Sequence, residues 1–253
     1  MTTKATRVDK SRSVKNPNDK SGASFGLILA ALLLVVVVVI GLIYWNGREK
    51  QQEAAEAPVI EGLEMEYNKD EGIIKLSSNK TNDDSIPTAL FQDYSCSYCG
   101  ELARATDADM IQKVQDGEIT VEIRPLIFLD QGAVNHSTRA LAASLALVDE
   151  GNPSLYSAFN RIMMERQAEM YQNSSAETFA NLADQLGASK ETVDKIRDDS
   201  YVEAAQDIGA KNATWLNENT GSVSSPRVFI NGEEYTEDQK NWLTDGLAKA
   251  REK

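Results

Sequence analysis

The chain has 253 residues, 26 Lys and Arg against 39 Asp and Glu, a net charge of −13, 42% hydrophobic residues and two cysteines. So acidic a protein is soluble outside any membrane-spanning part and excludes nucleic acid or another polyanion as a partner. Two cysteines are too few for a disulfide framework that would replace a hydrophobic core.

Residues 1–24 are polar and aperiodic and include Pro17, which reads as a disordered cytoplasmic tail. Residues 25–45, FGLILAALLLVVVVVIGLIYW, carry no charge. A helix of that length matches the ~30 Å hydrocarbon core of a bilayer, and Tyr44 and Trp45 stand where an aromatic anchor belongs. The run is longer than the apolar region of a cleavable signal peptide, so an uncleaved single-pass transmembrane helix is expected. Lys4, Arg7, Lys10, Arg12, Lys15 and Lys20 precede it against Asp9 and Asp19, which places the N-terminus in the cytoplasm and residues 46–253 outside. With +4 before the span, the exported part carries −17. Residues 46–71 are expected to be an extracytoplasmic linker, opening with the Glu-, Gln- and Ala-rich stretch 46–60.

The folded domain is expected over 72–253. Ile73–Leu76 and Thr88–Phe91 read as strands, and the second stops just before Cys96-Ser97-Tyr98-Cys99. Apolar residues from Cys99 to Val114 recur at helical spacing and Gly117 ends that helix. Ile119–Arg124 alternates, and the strand bends at Pro125. Strand, helix, strand makes a βαβ unit with a right-handed crossover in a mostly parallel sheet. The next stretch, about 137–200, is helical: Ser137 or Thr138 opens a helix that Gly151-Asn152-Pro153 turns, a second runs through Leu155 to Met163, and Ser174 or Ser175 and then Ser189 open two more. Strand signals return at Arg227–Ile230. Asn231-Gly232 marks a hairpin with Glu233–Tyr235, and a closing helix is expected over 238–252. The class is α/β with a helical block between its halves.

Both cysteines lie at the strand-to-helix junction. A sulfur at a helix N-terminus meets unpaired N–H groups and the positive end of the helix dipole, which favour the thiolate, the attacking species. Cys96 is therefore the expected nucleophile, and Cys99, one turn on and more buried, resolves the mixed disulfide. A structural zinc site needs about four ligands, and the chain offers two cysteines and one distant histidine, His136; no metal is expected. A purely structural disulfide over two residues closes almost no loop.

Phe91-Gln92-Asp93-Tyr94-Ser95-Cys96-Ser97-Tyr98-Cys99-Gly100 resembles the active-site entry of DsbA-like thioredoxin-fold proteins, and Ser225-Pro226-Arg227-Val228-Phe229-Ile230-Asn231-Gly232 is similar to their second signature. The resemblance covers about 72–253. It implies a thioredoxin fold with an inserted helical domain and a cis Pro226 beside the cysteine pair, with Ser225 and Pro226 holding an extended substrate peptide. It implies an enzyme, a protein thiol–disulfide oxidoreductase, that needs no cofactor beyond the Cys96–Cys99 disulfide. Its expected partners are exported polypeptides and a membrane redox partner.

The chain departs from the family in two places. DsbA has a histidine between its cysteines, where this chain has Ser97 and Tyr98, so Cys96 is expected to be less acidic. Many members carry a buried acid six positions before the first cysteine, where this chain has Leu90; proton transfer to Cys99 then falls to water or to Asp93. Tyr98 is read as a solvent-facing ring or a substrate contact, and His136 as a capping or exposed residue. The expected direction is oxidation of exported proteins. The alternatives are a reductase or isomerase of the same fold, or a non-catalytic, membrane-tethered binding or scaffold domain.

Overall fold

The computed structural model divides into two compact units, residues 1–50 and 51–253. It describes residues 59–252 and, before them, Ile28, Leu29, Ala31, Leu32 and Val35, all five helical and exposed. The tail 1–24, most of the span 25–45 and linker residues 46–58 lie outside the described residues. Among the described residues no helix is long and apolar enough to cross a membrane.

The second unit is built on a six-stranded sheet of β1 (Leu63–Asn68), β2 (Ile73–Ser78), β3 (Ile86–Asp93), β4 (Ile119–Leu126), β5 (Arg227–Ile230) and β6 (Glu233–Glu234), in the order β1-β2-β4-β3-β5-β6. Only β3 and β4 run parallel; the other neighbouring pairs are antiparallel. The expected mostly parallel sheet is thus corrected to a mixed one. Tight turns join β1 to β2 and β5 to β6, and a tight turn can only reverse the chain. At the second, Asn231 and Gly232 have φ of 51° and 78°, the left-handed pair that the Asn-Gly signal requires.

β1 lies in the stretch read as linker, so the folded domain begins earlier than residue 72. Leu63, Met65 and Tyr67 alternate with Glu64, Glu66 and Asn68 and join the core on one face.

The βαβ unit is completed by α1 (Ser97–Gln115), which lays Leu102, Met110 and Val114 on the sheet face bearing Leu76, Leu90, Val121 and Ile230. Next comes the insertion, α2 (His136–Glu150), α3 (Pro153–Glu165), α4 (Gln167–Gln172), α5 (Ala176–Gln185) and α6 (Lys190–Arg197). Ser175 and Ser189 cap α5 and α6 as expected, and Asn152, read as part of a turn, caps α3. At α2 neither Ser137 nor Thr138 is the cap. Asp130 accepts from the N–H groups of Asn135, Ser137 and Thr138 at 3.2, 3.2 and 2.8 Å, doing from a neighbouring loop what a cap residue does locally.

The helix α7 (Val202–Thr220) has no counterpart in the sequence reading. Its buried positions, Ala205, Ile208, Gly209, Asn212 and Leu216, keep helical spacing, but small and polar side chains occupy most of them, so hydrophobic periodicity is silent. It covers the opposite sheet face, where Trp215 stacks on Phe91 at 5.2 Å and Leu216 meets Leu126 and Phe229. Asn212 Nδ2 donates to the carbonyls of Gly72 and Pro125 at 2.9 and 3.0 Å, fixing α7 to the β1–β2 turn and the end of β4. The C-terminal helix expected over 238–252 is three short pieces: a 3₁₀ turn at Gln239–Asn241, a π turn at Trp242–Gly246 and α8 (Leu247–Arg251). Trp242, Leu243 and Leu247 are buried as their spacing implied.

On α7, a Cβ at Gly209 would lie 2.5 Å from Cγ1 of Ile127, the residue after β4. Gly209→Ala is therefore expected to destabilise the domain by about 1–3 kcal/mol through overpacking, despite alanine's better helix propensity. Urea unfolding measures this, and a gain in stability would contradict the packing described.

Candidate active site

β3 delivers the chain to the cysteines. Phe91 and Leu90 pair it to β4 and β5, Asp93 ends it, and Cys96 becomes the residue that caps α1. Cys96 has extended backbone, φ −80° and ψ 113°, and no oxygen on its side chain caps the helix. Its carbonyl takes the first helical hydrogen bonds, from Cys99 N–H at 3.0 Å and Gly100 N–H at 3.2 Å. The sulfur therefore occupies the place where a serine or aspartate oxygen would normally meet the first-turn N–H groups.

Both cysteines are unbridged thiols in this structure. Both are buried, Cys96 at 7% exposed and Cys99 at 3%. Cys96 Sγ–H donates to the Ser225 carbonyl at 3.3 Å, and the Ser225–Pro226 bond is cis. The structure thus brings together Cys96, Cys99, Ser225 and Pro226 from ends of the sequence more than a hundred residues apart. Ser97 and Tyr98 are exposed at the mouth, Tyr98 at 69%.

The two sulfurs diverge in acidity. Cys96 is lowered to about 5, first by the hydrogen bond from the Cys99 thiol, then by Ser225 and by the Cys99 and Tyr98 N–H groups, against the opposing effect of burial. Once the proton leaves, the Ser225 carbonyl has nothing to accept. The buried Ser225 hydroxyl, which has no other hydrogen-bond partner, is then the donor that favours the thiolate. No cation takes part. Hydrogen bonds do the work that the sequence reading, finding no histidine in the dipeptide, expected to be missing. Cys99 goes the other way: burial, the hydrogen bond to Cys96 and the Cys96 charge hold it firmly as a thiol.

Asp93 is fully buried and its carboxyl is raised to about 6 by desolvation. Its oxygens are engaged by the Ser137 hydroxyl at 2.5 Å, Ser95 N–H at 2.8 Å and Leu129 N–H at 3.3 Å, while what lowers Cys99 from this residue is its backbone. Ser95 and Ser137 hydroxyls share a further bond at 2.6 Å. His136 neither caps nor lies exposed, which corrects the sequence reading: it is 2% exposed, between Tyr171 and Phe179, with Nδ1 2.8 Å from Ser174 Oγ, and burial lowers it to about 4. An imidazole there stays neutral at ordinary pH.

Several supports escaped the sequence reading. Asn160 Oδ1, on α3, accepts from Gln92 Nε2 and Tyr94 Oη, both at 2.9 Å, and Tyr94 Oη also meets Ser144 Oγ of α2 at 2.7 Å. Gln167, on α4, donates to the carbonyls of Tyr94 and Cys96. No local motif announces such residues, because their partners lie 50 to 73 positions away. A separate cavity of about 280 Å³ between α1 and α3, lined by Ile60, Leu76, Asp107, Met110 and Tyr156 among others, includes neither cysteine. Among the described residues no group of three or more His, Cys, Asp or Glu is placed to hold a metal.

Residues 86–244 match a family model described as thioredoxin. The chain superposes on MdbA, a thiol-disulfide oxidoreductase from Corynebacterium matruchotii, with a TM-score of 0.72 and 32% identity, over 78% of this chain and 98% of that one. For MdbA from Corynebacterium diphtheriae the figures are 0.69 and 32%, over 72% and 92%. A curated relative, the serine/threonine-protein kinase PknE of Mycobacterium tuberculosis, is 26% identical over 160 residues; the match spans 61% of this chain and 28% of the kinase.

In the reduced protein, thiolate absorbance is expected to titrate with a midpoint near pH 5 from Cys96 alone, and Ser225→Ala should raise it. A midpoint near the ordinary ~8.5 of a free thiol would refute the hydrogen-bond account.

Proposed function

The chain belongs to the thioredoxin family as a DsbA-like member, and from that premise we propose that it exchanges disulfides with exported polypeptides, as an oxidase, from the outer side of a membrane. The observation that carries this reading is the pairing of an acidic Cys96 at the start of α1 with a more deeply buried Cys99 held as a thiol, beside the Ser225 carbonyl.

In the oxidising direction the enzyme starts with the Cys96–Cys99 disulfide. A substrate thiolate attacks Cys96 Sγ, forming a substrate–Cys96 bond and expelling Cys99, which takes up a proton. The second substrate thiolate then attacks the substrate sulfur of that bond. Cys96 leaves as a thiolate, the substrate has lost two electrons, and the enzyme has gained them. Cys96 is a good leaving group because its low pKa stabilises the anion, and a stabilised reduced form is what makes such a pair oxidising. A membrane redox partner accepts the two electrons and restores the disulfide.

Ser225 and Pro226 are assigned to hold the substrate backbone, since the Ser225 carbonyl already meets the Cys96 thiol and an extended peptide adds there as a strand would. Tyr98 and Ser97, exposed beside Cys96, are assigned to substrate contact. Asp93 is the proposed proton-transfer group: desolvation brings its carboxyl to about 6, and the Ser137 and Ser95 hydroxyls extend from it. The apolar run 25–45 and the basic residues before it support a single-pass anchor with the N-terminus cytoplasmic. Tethering raises the effective concentration of the domain near its membrane partner.

One observation favours a second reading, a reductase or isomerase: no cation lies among the groups that lower Cys96. The potential separates the two. Equilibration with glutathione is expected to give a value well above about −200 mV, whereas one near thioredoxin's −270 mV or so would reverse the direction of electron flow. Activity itself is tested by trapping. Cys99→Ala should accumulate mixed disulfides with exported proteins, absent from Cys96→Ala; if neither variant traps any, the catalytic reading gives way to a binding or scaffold domain.

A further inference from the structure

Among the insertion side chains that hold the strand-to-helix corner carrying Cys96, Gln167 is the one bonded to backbone carbonyls there. Gln167 is 8% exposed and opens α4. Arg166 before it, with φ −99° and ψ 25°, ends α3 and starts α4, and the break turns Gln167 back toward the cysteines. Gln167 Nε2 donates to the Tyr94 carbonyl at 2.8 Å and to the Cys96 carbonyl at 2.7 Å. An amide has two N–H donors, and both are spent on two carbonyls two residues apart.

We propose that Gln167 is a positioning residue for Cys96: its amide clamps the carbonyls of Tyr94 and Cys96 and so keeps the Cys96 sulfur against Ser225 and the first turn of α1. The orientation of the Cys96 carbonyl and that of its side chain are coupled through one backbone torsion. Fixing the carbonyl from the insertion side, while Cys99 and Gly100 N–H hold it from the helix side, sets the Cα–Cβ direction from which the sulfur takes one of its staggered rotamers. The one it takes ends at the Ser225 carbonyl, 3.3 Å from Sγ.

A second observation points to the same clamp. At Gly100 a Cβ would lie 3.0 Å from Gln167 Oε1 and 3.0 Å from the Met164 carbonyl. The glycine after the cysteine motif is thus what lets the α3–α4 break approach close enough for Gln167 to reach. The insertion contributes more than a cover: it supplies the part that sets the geometry of the nucleophile.

This inference rests on Cys96 being the attacking thiolate, and the test keeps the two apart by titrating the reduced full-length chain rather than assaying turnover. Gln167→Met keeps length and bulk and removes both donors. It is expected to raise the Cys96 midpoint by a unit or more, lowering the ionisation constant at least tenfold, and to shift the equilibrium with glutathione toward the disulfide in the same sense. Gly100→Ala should shift both in the same direction, and the double variant should add little to Gln167→Met. If the wild type titrates as an ordinary thiol, the proposed function fails first. If the wild type is acidic and a folded Gln167→Met matches it, the clamp is overturned; should that variant not fold, an unchanged midpoint in Gly100→Ala overturns it instead.

Discussion

At one point in the molecule the first turn of α1 meets a sulfur where most helices place an oxygen. The N–H groups of Tyr98 and Cys99 open that turn, and the Cys96 thiolate is what they favour. A thiolate is large and weakly solvated, so a few well-aimed donors in a partly dry setting outweigh the burial that opposes its charge. The remaining architecture serves that contact. β3 brings the chain to the junction, β5 sets the Ser225 carbonyl and hydroxyl beside it, and α1 carries Cys99 one turn into the core, where its own ionisation is suppressed.

Holding such a corner requires more than the sheet provides, since the residues after Asp93 are past the last paired position of β3. The insertion supplies the remainder through buried polar contacts. Gln92 and Tyr94 converge on Asn160, Tyr94 on Ser144, Asp93 and Ser95 on Ser137, and the Tyr94 and Cys96 carbonyls on Gln167. Each of these groups is costly to bury unpaired, and together they admit few arrangements. The price in desolvation is visible at Asp93, whose carboxyl is raised to about 6 even with three donors on it.

The absence of a cation at Cys96 has a chemical consequence. A positive charge acts over several ångströms and tolerates small displacements, whereas hydrogen bonds fade within a fraction of one. A thiolate stabilised by neutral donors therefore depends strongly on exact placement of backbone and side chains. That dependence links the Ser225 loop, the Gly100 contact and the Gln167 clamp to one quantity, the acidity of Cys96.

The sequence by itself determined the features that are local. Cys96-Ser97-Tyr98-Cys99 at a strand end, the capping residues Ser175 and Ser189, and the Asn231-Gly232 turn each depend on neighbours a few positions away, and the structure places them as read. Only the tertiary structure decided what depends on distant partners. β1 is a strand because β2 offers it a ladder, although its glutamates suggest a linker. α7 buries Gly209 and Asn212, residues that signal a surface until Ile127 and the Gly72 and Pro125 carbonyls are seen beside them. The sheet direction followed from strand order, which periodicity does not encode. His136 became a neutral core residue because two aromatic rings close over it. Gln167 reached the cysteine corner in the same way: α3 breaks at Arg166, and the folded helices set the next residue against a corner about seventy residues upstream.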